Sequence, residues 1–190
     1  MEIYVQPGDS FWLYSQIFQV PLELIVQSNP NVSPSHLMIG QSIQIPGYDT
    51  VIYEIRPGDT LWKIAIDHQS TVDAILKLNP GLLPNSLQVA RRISIPVRVT
   101  DLLITDPSDY TYEKMLRDID RLLTVYPFIK RNTIGSSVLG KELIELQIGI
   151  GNKQVHVDGS FHANECITTP VIMKFLNQYA LSLTNNQPIR

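Results

Sequence analysis

Pro7-Gly-Asp-Ser-Phe-Trp12 recurs fifty residues on as Pro57-Gly-Asp-Thr-Leu-Trp62. Residues 7–46 align with 57–96 without a gap, giving 13 identities in 40 pairs. Asn29-Pro30 returns as Asn79-Pro80, Pro34 as Pro84, and Leu37 as Leu87. Ile43, Ile45 and Pro46 return as Ile93, Ile95 and Pro96. The identities run from end to end, so the chain holds a duplicated unit.

Each copy spells the same order of elements. A short alternating strand (3–5; 51–55) meets Pro-Gly-Asp, a turn signal. Asp9 or Ser10, and Asp59 or Thr60, then stand where a helix cap belongs. Trp12 and Trp62 open an apolar helical pattern, which predicts core side chains rather than exposed ones. A second helix is expected over 21–27 and 71–78, with Thr71 as cap and Asp73 in the first turn. Asn-Pro ends it, because the residue before proline is pushed out of the helical region. A strand at 41–45 or 91–95 closes a β-α-α-β unit.

This unit resembles the LysM domain, a small module that binds N-acetylglucosamine-containing glycans. The resemblance implies a glycan groove between the loop after the first strand and the loop after the second helix. In the first copy that maps onto Gly8, Asp9, Ser10 and Phe11 with Asn29, Pro30 and Asn31. In the second it maps onto Gly58, Asp59, Thr60 and Leu61 with Asn79, Pro80 and Gly81. An acetamido group needs backbone N–H and C=O beside an apolar floor, and these loops offer both. Asn29 and Asn79 also have a plainer reading, as closures of a helix end. Ala90-Arg91 departs from Gly40-Gln41 at the matching place. Two small linked modules suggest weak sites that gain by effective concentration.

Beyond the repeat the pattern changes. The expected organisation is module 1 at 1–47, module 2 at 50–97, a connector at 98–109, and a further segment at 110–190. Tyr112, Met115, Leu116, Ile119, Leu122 and Leu123 recur at helical spacing within 110–126. Strands are expected over 129–134, 143–150 and 154–159, then a helix over 164–183 interrupted by Pro170. Gly159-Ser-Phe-His162-Ala-Asn-Glu165 lies at the last strand-to-helix junction. His162 and Glu165, three apart where the chain curves, can hold one metal, and their donors suit Zn²⁺ at about 2.0–2.2 Å. Taken alone, the pair is equally a surface histidine with a first-turn glutamate.

Taken in order, this segment resembles the N-terminal part of the zinc carboxypeptidase family. Phe161-His-Ala-Asn-Glu165 behind tandem LysM units is similar to bacterial γ-D-glutamyl-L-diamino acid endopeptidases, which cut peptidoglycan stem peptides. The resemblance implies an α/β/α mixed sheet, a Zn²⁺ cofactor, and His162 and Glu165 as two of three metal ligands. The family's second histidine, its catalytic glutamate and its substrate-binding arginines come far later, and only 25 residues follow Glu165. His36, His68 and His156 precede the motif, and none matches the later ligand. The fold expected is therefore α+β with an α/β part: two βααβ modules and an incomplete peptidase domain, with no catalytic residue in this chain and no activity of its own. Cys166 stands where these enzymes often have tryptophan, and is expected to be buried and inert rather than a zinc thiolate. His156 is expected to be an ordinary strand position. The second reading is a non-catalytic glycan-binding LysM protein with a remnant peptidase domain.

Composition narrows the partners. Fifteen Lys+Arg against eighteen Asp+Glu leave a net charge of −3, which gives no support to a nucleic-acid partner. One cysteine excludes an internal disulfide framework. No apolar run is long enough to span a membrane, and the opening residues lack the basic start of a signal peptide. Bacterial cytoplasm or forespore, with action on cell wall or spore cortex, is the expected location. A sheet cut short would leave an open edge and a bare apolar face. The LysM units are therefore expected to fold, with 110–190 only marginally stable alone.

Overall fold

Ile3 points inward between two exposed neighbours on strand β1 (Glu2–Tyr4). That alternation opens the chain in this computed structural model, which describes residues 1–162 and 164–185. Helix α1 (Phe11–Phe18) starts at Ser10, whose hydroxyl accepts the Leu13 N–H at 3.1 Å. Helix α2 (Leu22–Gln27) follows Pro21, and strand β2 (Ser42–Gln44) returns antiparallel with Ile43 opposite Ile3. The second copy repeats the order: β3 (Tyr48–Glu54), α3 (Leu61–Asp67), α4 (Val72–Leu78) and β4 (Arg92–Arg98). Thr60 caps α3 and Thr71 caps α4 through their side-chain oxygens. Each such cap contributes about 1 kcal/mol by satisfying a helix-end N–H that has no other partner.

The two tryptophans correct an expectation. Trp12 is 63% exposed and Trp62 68% exposed, so neither is a core residue. The buried stripe of α1 is Phe11, Tyr14 and Phe18, and that of α3 is Leu61, Ile64 and Ala65. One step after the first buried position turns a side chain about 100° away from that stripe.

Helix α5 (Tyr112–Val125) is capped by Thr111 and buries Ile119, Leu122 and Val125. Strands β5 (Lys130–Ser136) and β6 (Glu142–Gln147) form an antiparallel hairpin, irregular between Thr133 and Gly135. Helix α6 (Thr168–Thr184) completes the order. The strand expected over 154–159 is not formed: Val155 and Val157 lie exposed and unpaired. A strand exists only beside a neighbour that takes its hydrogen bonds, and no described segment offers one. The described sheets are three two-stranded ribbons, in place of the mixed sheet expected in the third segment. α6 begins at Thr168 rather than 164, and Pro170 sits in its first turn rather than breaking it. Proline fits there because a first-turn N–H has no intrahelical acceptor.

The interior does not divide at the repeat boundary. One apolar cluster joins Ile3, Tyr14, Phe18, Ile25 and Ile43 of module 1 to Leu122, Tyr126, Phe128, Met173 and Ala180 of the third segment. Module 2 has its own cluster around Ile55, Ile64, Ile75, Ile93 and Ile95. The stretch expected as a connector is anchored. Ile104 is buried, and the N–H groups of Leu103 and Ile104 both donate to Asn177 Oδ1, at 2.7 and 2.9 Å.

Candidate functional site

An aspartate shapes the loop after the first strand in each module. Asp59 Oδ2 accepts the Arg56 N–H at 2.8 Å and the Tyr53 hydroxyl at 2.8 Å. The Arg56 N–H is the largest cause holding the Asp59 carboxyl below its ordinary range, and the Tyr53 hydroxyl adds to it. Asp9 Oδ2 does the same with the Gln6 N–H at 2.8 Å and the Tyr14 hydroxyl at 2.7 Å. Burial first, then the Asp9 carboxylate, push the Tyr14 phenol above its ordinary range. The tyrosine comes from the helix in module 1 and from the strand in module 2, yet both fix the same turn. Asp9 differs in one respect: its Oδ1 takes Lys77 Nζ of module 2 at 2.6 Å, with the aspartate side chain 2% exposed.

Asn29 and Asn79 tie the end of the second helix to the closing strand. Asn79 Nδ2 donates to the carbonyls of Ile75 and Ser94, each at 2.7 Å, while Oδ1 accepts the Ser94 N–H at 2.8 Å. Asn29 makes the matching bonds to Ile25 and Gln44. Both donors and the oxygen of each amide are thus engaged inside the module. Pro30, Asn31, Pro80 and Gly81 lie exposed beside them.

A shallow cleft of about 510 Å³ opens on module 2. Asp59, Thr60, Leu61 and Trp62 form one side, Pro84, Asn85 and Leu87 the other, with Val72 between them in sequence. Three residues expected from the sequence, Asp59, Thr60 and Leu61, come together here; Asn79, Pro80 and Gly81 are not in its lining. Trp62, Val72 and the 84–87 loop were missed. The signal was present in the repeat itself, because Pro84 and Leu87 are identical to Pro34 and Leu37. On module 1, Gly8 and Ser10 lie at the surface or half-buried, while Phe11 is buried beneath them; Gly58 is exposed likewise.

At the start of α6, His162 Nδ1 stands 2.9 Å from Glu165 Oε1. The side chains are 67% and 41% exposed. The loop that carries them is braced from both ends. The Ser160 N–H donates to Thr168 Oγ1 at 2.6 Å, and the Ser160 hydroxyl meets Thr169 Oγ1 at 2.7 Å. A Cβ on Gly159 would lie 2.9 Å from Ile172 Cδ1 and 3.1 Å from the Thr169 backbone nitrogen, so any larger residue would push Ile172 aside and press on the start of α6. Two ligands of a tetrahedral zinc stand about 3.3–3.6 Å apart, given bonds of about 2.0–2.2 Å. The observed separation is that of a direct hydrogen bond, so the two groups must part by a few tenths of an ångström to admit an ion; it is their donor types that suit zinc. Among the described residues, no three of His, Cys, Asp and Glu gather where a metal could sit.

Cys166 is a free, exposed thiol, which corrects the expectation of burial. It precedes α6, whose buried face begins only at Pro170 and Met173. His156 lies off any strand, with Nε2 2.7 Å from Asp158 Oδ1.

The LysM domain profile matches residues 3–46 and 53–96, and the zinc carboxypeptidase profile matches 115–190. Gamma-D-glutamyl-L-diamino acid endopeptidase 1 of Lysinibacillus sphaericus is 60% identical over all 190 residues, which cover 48% of that protein. The uncharacterized protein YqgT of Bacillus subtilis (strain 168) is 37% identical over 94 residues, 48% of this chain and 25% of that one. A LysM domain from Volvox carteri chitinase is 49% identical, covering 24% of this chain and 92% of that domain, with a TM-score of 0.23. The chain spans about half the length, or less, of the curated relatives it matches. No described helix is long and apolar enough to cross a membrane. The chain consists of two LysM repeats followed by a fragment of the zinc carboxypeptidase family.

Proposed function

We propose that this chain is the wall-binding part and half of the metal site of a zinc-dependent peptidase that cuts a γ-D-glutamyl-diamino acid bond in peptidoglycan stem peptides. The observation that carries the reading is the 60% identity, over every residue, to an endopeptidase of that name. The organisation follows the units at 1–47, 50–97, 98–109 and 110–190. Peptidoglycan, or a related N-acetylglucosamine glycan, is the partner. In module 2 the sugar lies in the cleft between Asp59–Trp62 and Pro84–Leu87, with Trp62 offering an apolar face and Asn85 polar atoms. Gly58, Asn79, Pro80 and Gly81 shape its rim. In module 1, Gly8–Phe11 and Asn29–Asn31 take the matching part. The protein acts at the cell wall or spore cortex.

His162 and Glu165 would hold the zinc as two of its three protein ligands, with the third supplied from outside the described residues. When bound, the ion supplies Lewis acidity and an acidified water. The chain's own residues brace the loop that carries the ligands, through the Ser160–Thr168–Thr169 bonds and the close passage of Gly159 against α6.

Co-sedimentation with purified peptidoglycan sacculi tests the glycan reading. The chain pellets with sacculi, and a Trp62→Ala variant pellets less, retaining only what module 1 binds. Zinc titration tests the other half. The chain binds zinc weakly, and His162→Ala abolishes that binding; tight stoichiometric zinc in the His162→Ala variant would place the metal elsewhere. The second reading is a glycan-binding protein with a remnant peptidase domain. Hydrolysis of a γ-D-glutamyl stem peptide by a chain that includes the third ligand decides between the two.

A further inference from the structure

Module 1 shares its interior with the third segment, whereas module 2 keeps its own. The seam around module 1 is polar as well as apolar. The Gly47 N–H donates to the Val125 carbonyl at 2.8 Å, and the Gly47 carbonyl accepts the Val99 N–H at 2.9 Å. Gly47 has φ +75°, and a Cβ there would lie 2.7 Å from Thr184 Cβ. Only glycine permits both that backbone angle and the approach of α6.

Arg98, the last residue of β4, crosses the seam. Its Nη1 donates to the Thr184 carbonyl at 2.9 Å and to Asn185 Oδ1 at 3.2 Å. Its Nη2 donates to the carbonyls of Phe18 and Gln19. The guanidinium lies over the Tyr48 ring, 4.9 Å from its centroid. One side chain therefore closes the C-terminal ends of α1 and α6, where carbonyls lack intrahelical partners. Asn185 Nδ2 donates back to the Val99 carbonyl at 3.2 Å. On its other flank, module 1 is tied to module 2. Lys77 pairs with Asp9, Gln6 Nε2 donates to the Lys77 carbonyl at 3.1 Å, and Ala74 joins the module 1 core.

Neither the cleft nor the His162–Glu165 pair needs these contacts for its own shape. We infer that Arg98 and Gly47 are positioning residues that mount the module 2 cleft and the His162–Glu165 pair on one rigid body, with module 1 as the bracket between them. The inference rests on the function proposed above for those two places. A sugar strand held in the cleft then offers its stem peptides at one fixed offset, so substrate is chosen by reach as well as by peptide chemistry. A flexible tether would sample many offsets instead.

Spin labels test this on the whole 190-residue chain. Asp67→Cys on α3 and Lys174→Cys on α6 are exposed sites, introduced with Cys166→Ser so that only they are labelled. The expected result is a single narrow distance that an added N-acetylglucosamine oligomer leaves unchanged. Arg98→Ala broadens it while sedimentation with sacculi is retained. Arg98→Lys, which keeps the charge and loses the fork, gives an intermediate width and serves if Arg98→Ala fails to fold. A broad distribution with Arg98 in place, or widths indifferent to both substitutions, overturns the inference. A narrow distance without sedimentation would overturn the functional reading and leave the mounting intact.

Discussion

Asn79 illustrates what one residue does in this fold. Its side chain bonds at 2.7–2.8 Å to a helix end and to a strand fifteen residues later. Asn79→Ala leaves the Ser94 N–H and two carbonyls without those partners. We expect a loss of about 2–4 kcal/mol, read by thermal unfolding. The repeat marks Asn29 and Asn79 as paired positions, but not that their amides are fully spent within the module; that depends on a strand the loop must first bring back. Asp59 gives a pH-dependent prediction. Its carboxyl lies below the ordinary 3.8, chiefly because it accepts the Arg56 N–H. A depressed carboxyl stabilises the fold above its ordinary value, and that contribution is lost as pH falls through the lower folded value. The Arg56 amide shift should titrate with a midpoint below 3.8 and stay flat in Asp59→Asn. A midpoint at or above 3.8 would contradict the assignment.

Helices were legible because their information is local. The caps Ser10, Thr60, Thr71 and Thr111 stand at their starts, and the apolar spacing of α5 states its buried face. The strand at 154–159 failed for the opposite reason, since alternation shows a possible face but not a hydrogen-bonding neighbour. The tryptophans failed because an apolar residue one step off the stripe looks the same in a list of hydrophobic positions. Helix α4 serves two modules, with Ile75 in one core and Ala74 in the other. Its Lys77 side chain is 13% exposed and pairs with a nearly buried Asp9. Asp9→Ala strands that ammonium, and the expected cost is about 2–3 kcal/mol. Asp9→Asn with Lys77→Met removes both charges and should recover most of it, read by denaturant titration.

At the scale of the molecule, the sequence led to the expectation that the LysM units fold and that 110–190 is only marginally stable alone. The core runs from module 1 into α5 and α6. This was not legible, because repeat positions predict burial within a unit and say nothing about which neighbour shares it. Leu122, fully buried in α5, belongs to that common core. Leu122→Ala should cost about 2–5 kcal/mol. It should also speed amide exchange at Ile43 and Ile45, both in module 1. Exchange confined to the third segment would show separate folding units.

The central claim is that two LysM units place a zinc-peptidase fragment on peptidoglycan, and the module 2 cleft is where it meets observation. Titrate the ¹⁵N-labelled chain with a soluble N-acetylglucosamine oligomer and follow the backbone amides. The account predicts saturable shifts clustered at Asp59–Trp62 and Asn85–Leu87, abolished by Trp62→Ala. Shifts absent up to millimolar sugar, or scattered away from both loops, would contradict it.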